Sequence, residues 1–166
     1  MLATVQRRRR NLIVVHEGED LPVLAKARRM DIWWAGNPRN LGLMLALAFL
    51  LRKHPVWAAA ETVVWCSVDT EEQVAPTTKK VKEILKGARF AAEVRVVQKE
   101  GDAFATIRQH SLEADLLFMG LRARAADESL EDYAAYYALL CEQTDGLPPT
   151  VLVTAAEDVD LHRLFA

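Results

Sequence analysis

Four residues at the ends of predicted strands could give a phosphate-bearing ligand a place to bind: Gly36, Asp69, Gly120 and Arg122. Glycine permits this because a side chain would keep backbone amides away from an anion, and the set would serve a nucleotide sensor. Cradling a phosphate needs closely spaced glycines, however, and Gly36 and Gly120 stand isolated, so each reads as a turn glycine. Nucleophile chemistry has no support either, since no serine occupies a G-x-S-x-G elbow. His16, His54, His110 and His162 are scattered singly, without the spacing that ligates a metal. His54, beside Arg52 and Lys53, reads as a cation at the negative end of a helix dipole. Asp69 and Asp115 flank strands and read as strand ends. The sequence therefore assigns no catalytic residue, no cofactor and no metal site.

The elements that would have to position such residues are legible from hydrophobic patterning. Short β-rich runs, "NLIVV", "DIWWAG", "TVVWCSV", "AEVRVV", "LLFMGL" and "TVLVTAA", alternate with helix-length stretches. Asn40 is expected to cap a helix from Leu41 to Lys53, closed by Pro55. Lysines on one side and Val74, Val81, Ile84, Leu85 and Ala88 on the other make Glu71 to Phe90 an amphipathic surface helix. Further helices are expected from about Asp102 to Ala114 and from Ser129 to Gln143. In the latter, Ser129 with Asp132 forms the start and Gly146 then Pro148 the stop. "RARAADES", residues 122 to 129, reads as a mobile loop.

Several strands are nearly continuous apolar runs, as expected when helices cover both faces of a parallel sheet. The fold class is thus α/β, a three-layer sandwich with a mostly parallel five-stranded sheet flanked by helices. "NLIVV" adds one extra strand on the edge, antiparallel to its neighbour. Residues 1–10 form a basic arm or linker and 11–166 a single domain. The chain has 166 residues, about one domain, and a formal charge of −2, which gives no overall attraction to nucleic acid or anionic lipid. The exception is Arg7, Arg8, Arg9 and Arg10, read as a solvated arm or a membrane-proximal basic patch. Cys66 and Cys141 read as buried, reduced thiols of a cytosolic protein. Trp33, Trp34 and Trp65 are expected in the core. Tyr133, Tyr136 and Tyr137 form an aromatic stripe on the last long helix that suits either the core or a protein interface. The apolar run from Leu41 to Leu51 is too short to span a bilayer, which takes roughly 20 residues.

The stretch "DIWWAGNPRNLGLMLALAFLLRKHPVW" resembles the carboxy-terminal cytosolic domain of the cation-chloride cotransporters, the Na-K-Cl cotransporter-like family. There a D-[IV]-W-W strand leads into a glycine and a leucine-rich helix that ends in a basic-histidine turn and a tryptophan. "AEVRVVQ", "EADLLFMGLR" and "SLEDYAAYYALLCEQTDGLPPTVLVTAA" resemble later strands and the final helix of that domain, so the likeness runs from Asp31 to Ala156. It implies a universal-stress-protein-like, or flavodoxin-like, α/β fold at the cytoplasmic face of the membrane, attached to a symporter of sodium, potassium and chloride. It also implies the second of two related cytosolic halves, a homodimer, and contacts with the parent's transmembrane domain and first half. Nucleotide-binding stress proteins carry a glycine pair and a further glycine with a hydroxyl residue after the fourth strand. "LRARAADES" after Gly120 lacks them, which counts against ATP binding of that type.

Overall fold

The computed structural model describes residues 10–16, 26–99 and 101–160; Arg7, Arg8, Arg9 and His162 lie outside them. Among the described residues, six strands and four helices alternate along the chain. They are β1 (Leu12–His16), β2 (Arg29–Trp33), α1 (Pro38–Leu51), β3 (Glu61–Val68), α2 (Val74–Ala88), β4 (Glu93–Gln98), α3 (Ala103–Ser111), β5 (Leu116–Gly120), α4 (Leu130–Thr144) and β6 (Thr150–Thr154). The strands form one sheet in the order β1-β6-β5-β2-β3-β4, with β1 antiparallel to β6 and every other pair parallel. The expected strands all form, and "NLIVV" takes the antiparallel edge position.

The twin indoles belong to two different cores. Successive side chains of a strand point to opposite faces, so Met30, Ile32 and Trp34 pack under α1 and α2 while Trp33 turns to the face covered by α3 and α4. Trp33 stacks on Trp65, its partner in β3, with ring centroids 5.4 Å apart. Trp34 donates its indole N–H to the Asn37 carbonyl at 2.9 Å, which holds the entry to α1.

α1 begins earlier than the sequence suggests. Asn37, not Asn40, is its cap: the Asn37 side chain accepts from the amides of Arg39 and Asn40 at 3.0 and 3.4 Å. Pro38 then starts the helix, because its fixed φ suits the first turn and its missing N–H leaves no orphan donor. The helix has no charge between Asn40 and Leu51 because Asn40 to Ala46 and Ala48 are buried. It stops at Leu51, whose carbonyl accepts from the His54 amide at 2.9 Å, while His54 Nδ1 accepts from the Val56 amide at 3.3 Å. On α2 the buried residues are Val81, Leu85 and Ala88, as the amphipathic pattern requires. α4 is capped by Ser129, which accepts from the Asp132 amide at 3.0 Å and donates to its carboxylate at 2.6 Å. The 122–129 loop is tied down, since Arg122 pairs with Glu128 at 2.5 and 2.8 Å and the Ala125 amide also donates to Glu128.

α2 ends against expectation. Arg89 occupies the position after the helix in left-handed conformation (φ 54°, ψ 30°), and among the described residues it is the only non-glycine with positive φ. Glycine is the usual occupant there, and a residue with a Cβ adds about 1 to 2 kcal/mol of strain.

At the middle of the sheet Asp31 is fully buried, with 0% exposure, among apolar side chains. It accepts two bonds from the Arg29 guanidinium, at 2.9 and 2.7 Å, and one from the Ser111 hydroxyl at 2.6 Å. Ser111 in turn accepts from the Trp33 indole at 2.9 Å, and Arg29 also donates to the His110 carbonyl at 2.6 Å. One carboxylate thus joins β2 to the end of α3 and orients Trp33. Removing one partner of such a group strands the others, so Asp31→Ala is expected to destabilise the chain by about 3 kcal/mol, with Asp31→Asn costing less. Urea denaturation measures both; a loss below about 1 kcal/mol for Asp31→Ala would show that β2 does not depend on this network.

Candidate functional site at the carboxyl ends of the strands

In an open sheet of this topology, ligands bind beyond the carboxyl ends of the strands, where the chain reverses its direction of travel across the sheet. Here that point lies between β2 and β5: the chain runs outward from β2 through β3 to β4, then returns to β5 on the other side.

The neighbouring gap, between the ends of β5 and β6, is closed from within. Asn40, one turn into α1, points its amide across the ends of β5 and β6: Oδ1 accepts from the Ala155 amide at 2.9 Å and Nδ2 approaches the Leu121 carbonyl at 3.5 Å. Thr154 donates its hydroxyl to the same carbonyl at 2.8 Å. Gly120 is what admits Asn40. It is the last residue of β5 and not a turn glycine, and a Cβ on it would lie 3.0 Å from Asn40 Nδ2. By contrast Gly36 is a true turn glycine, with φ of 93° and open space where a Cβ would stand.

The residues that could have formed a nucleotide site therefore do not come together. Gly36 lines a shallow cavity of about 410 Å³ with Trp34, Cys66, Thr77, Lys80 and Lys99. Asp69 sits at its margin, where its carboxylate takes the Lys99 ammonium at 2.9 Å. Gly120 is exposed and abuts Asn40. Arg122 is turned away onto α4, paired with Glu128 and stacked 4.0 Å from the Tyr136 ring. The bonds from Arg122 hold the Glu128 carboxyl below its ordinary range. Sequence reasoning missed Lys80 and Lys99, which looked like the solvated face of α2 and the end of a strand; Lys80 in fact lies 5.5 Å from the Trp34 ring.

The tyrosine stripe divides. Tyr133 is 3% exposed and donates its hydroxyl to the Arg122 carbonyl at 2.9 Å, so it belongs to the interior. Tyr136 and Tyr137 are half-buried against the same core. Cys66 is buried, and burial pushes its thiol up to about 11 against a smaller opposing pull from Lys80. Cys141, expected to be buried, is only half-buried. Among the described residues no cluster of metal-ligating side chains occurs, and no helix is long and apolar enough to cross a membrane.

Fold and site together define a three-layer α/β domain in which Asn40 of α1 closes the gap between β5 and β6. No family model matches the chain. Its fold is that of a solved structure, the cytoplasmic domain of a prokaryotic cation chloride cotransporter, with a TM-score of 0.65 and 15% sequence identity. The likeness covers 98% of this chain and 59% of that one, so the chain spans well under two thirds of the neighbour's length.

Two measurements check this geometry. Gly120→Ala and Asn40→Ala are each expected to lose about 1 to 3 kcal/mol, the first by crowding Asn40 and the second by stranding the Ala155 amide. The double variant should lose clearly less than the sum, because a shortened side chain at position 40 no longer meets the added methyl; strict additivity would show that the two residues do not touch. Cys66 is expected to resist thiol reagents at pH 8, where a pKa of about 11 leaves about one thiolate in a thousand. In a Cys141→Ser background, labelling should remain slow until the pH is raised or the chain unfolded. The same raised value makes the thiol's contribution to stability complete below pH 9 and lost as pH climbs toward 11.

Proposed function

We propose that the chain is a non-catalytic regulatory and assembly domain on the cytoplasmic side of a cation-chloride-cotransporter-like membrane protein. The observation that carries this reading is the match of fold across nearly the whole chain to the cytoplasmic domain of such a transporter. The scatter of the candidate ligand residues supports it, since Gly36 and Arg122 stand apart and Gly120 faces Asn40, which closes the gap between β5 and β6. Residues 11–166 would be the second half of the transporter's cytosolic region, with Arg7 to Arg10 close to the membrane. Two copies would pair, and the pose of the pair would bias the transport gates by interacting differently with their two states.

The pairing surface would include α4. There Tyr136 and Tyr137 lie half-buried, and Leu130 and Leu139 are exposed large apolar residues on the same helix. Tyr133, being interior, takes no part. Sedimentation of this chain, and of a chain carrying both halves, is expected to show a dimer that Tyr136→Ala with Leu139→Ser weakens. Monomers of both at high concentration would remove the assembly role.

A second reading, a nucleotide sensor, draws on one observation: Gly36 shares its cavity with Lys80 and Lys99. Titration calorimetry with ATP, ADP and AMP separates the two, since saturable heat at millimolar ligand would favour the sensor.

A further inference from the structure

We propose that the opposite end of the sheet carries a binding site for an organic phosphate, in the pocket between the C-terminal ends of α1 and α2. The pocket encloses about 310 Å³ and is lined by Phe49, Arg52, Lys53, Ala58, Arg89, Phe90 and Ala91. It lies at the amino ends of the parallel strands, so it is separate from the Asn40 crevice and does not depend on the transporter reading.

Three observations carry the proposal. The first is charge. Three cations line the pocket with no carboxylate among them, and among the described residues none of the three forms an ion pair. The two helix C-termini supply roughly −0.5 each, which leaves a surplus of roughly +2, the complement of a phosphate monoester dianion. The acidic residues nearby lie in an adjoining groove that shares Arg52, Ala58 and Ala91: Glu61 and Glu93, the latter held by Arg95 at 2.8 and 2.9 Å.

The second is chemistry. Two arginines present planar forks that fit phosphate oxygens two at a time, and Lys53 adds a point charge 4.4 Å above the Phe49 ring. Arg52 otherwise reaches only the Ala91 carbonyl, at 3.5 Å. Phe49 and Phe90 give the pocket apolar walls, which suit an ester with a carbon skeleton better than a bare ion.

The third is strain. Arg89 is the residue held in left-handed conformation at the end of α2, where glycine would sit without penalty. A strained residue persists where the surroundings or a function demand it, and what Arg89 supplies that glycine cannot is its guanidinium. The fold would be better served by Arg89→Gly; the pocket would not.

The opposing effects of that substitution give the test. Thermal unfolding of the 166-residue chain is followed against phenyl phosphate, and co-sedimentation is measured with phosphatidylcholine vesicles with and without phosphatidylinositol 4-phosphate. Phenyl phosphate is expected to raise the melting temperature saturably. Arg89→Gly is expected to resist urea better than the parent yet bind at least about tenfold more weakly, the effect of losing one charge-assisted hydrogen bond. Arg52→Gln should show a similar loss of affinity. With the urea resistance of Arg89→Gly at or above that of the parent, its loss of binding is not loss of structure. Phenyl phosphate binding without vesicle binding assigns a soluble ester; vesicle binding that Arg89→Gly abolishes assigns a lipid headgroup, and either supports the site. Absence of binding to both probes in the parent, or parental affinity in both variants, overturns it.

Discussion

A carboxylate without exposed surface at the centre of the sheet constrains everything around it. Asp31 can sit among Trp33, Val63 and Leu117 only because its carboxyl oxygens are bonded, and the groups that bond them come from two elements. Arg29 fixes the start of β2, and Ser111 fixes the end of α3 against it. Arg29 is 20% exposed on its side chain, so the pair draws its charge from the edge of the solvent and delivers it to the interior. Once Asp31 is satisfied, strand alternation decides the rest: Ile32 and Trp34 must face one helix pair and Trp33 the other. Trp33 then stacks on Trp65, whose other neighbours are His110 at 4.9 Å and Arg95 at 5.2 Å. A single strand of mixed chemistry therefore organises both cores.

The same strand leads into the crevice that defines what the domain does with its carboxyl end. The Trp34 indole anchors Asn37, Asn37 caps α1, and the helix carries Asn40 to the gap between β5 and β6. The gap accepts it because residue 120 has no side chain. In that gap Asn40 satisfies the backbone groups of Leu121 and Ala155.

How much of this could be read in advance depended on whether the cause was local. The strands were legible because β-branched and aromatic runs of four to eight residues are a local signal, and α2 because its apolar spacing is. The start of α1 was not: Asn37 and Asn40 are both good caps, and only the preference of proline for the first turn separates them. Gly120 looked like a turn residue because its reason for being glycine is a contact eighty positions away, with Asn40. Asp31 drew no reading beyond its place in "DIWWAG", because its compensating partner, Ser111, is distant in sequence as well. Tyr133 and Tyr136 were correctly placed on one side of α4, but spacing alone could not say that the first is interior. Arg89 gave no signal, since φ is not written in the sequence.

The two ends of the domain are therefore opposite in character, and the topology makes this a consequence rather than a coincidence. Parallel strands joined by helices put the helix N-termini at one end and the helix C-termini at the other. At the first end α1 is packed against β5 and β6 through Asn40, and a Cβ added at Gly42 would meet Val159 of the returning chain at 3.4 Å. That end is committed to holding the fold together. The antiparallel β1 places Arg10 and Asn11 there too, with Asn11 accepting from the Ala156 amide at 2.9 Å. At the other end the helices stop at arginines, Arg52 and Arg89, and nothing in the sheet needs their charge. Cations at helix C-termini stabilise them by only about 0.3 to 1 kcal/mol each, less than the strain that Arg89 carries. Capping alone does not explain that residue, which is the reason to look for a partner outside the chain.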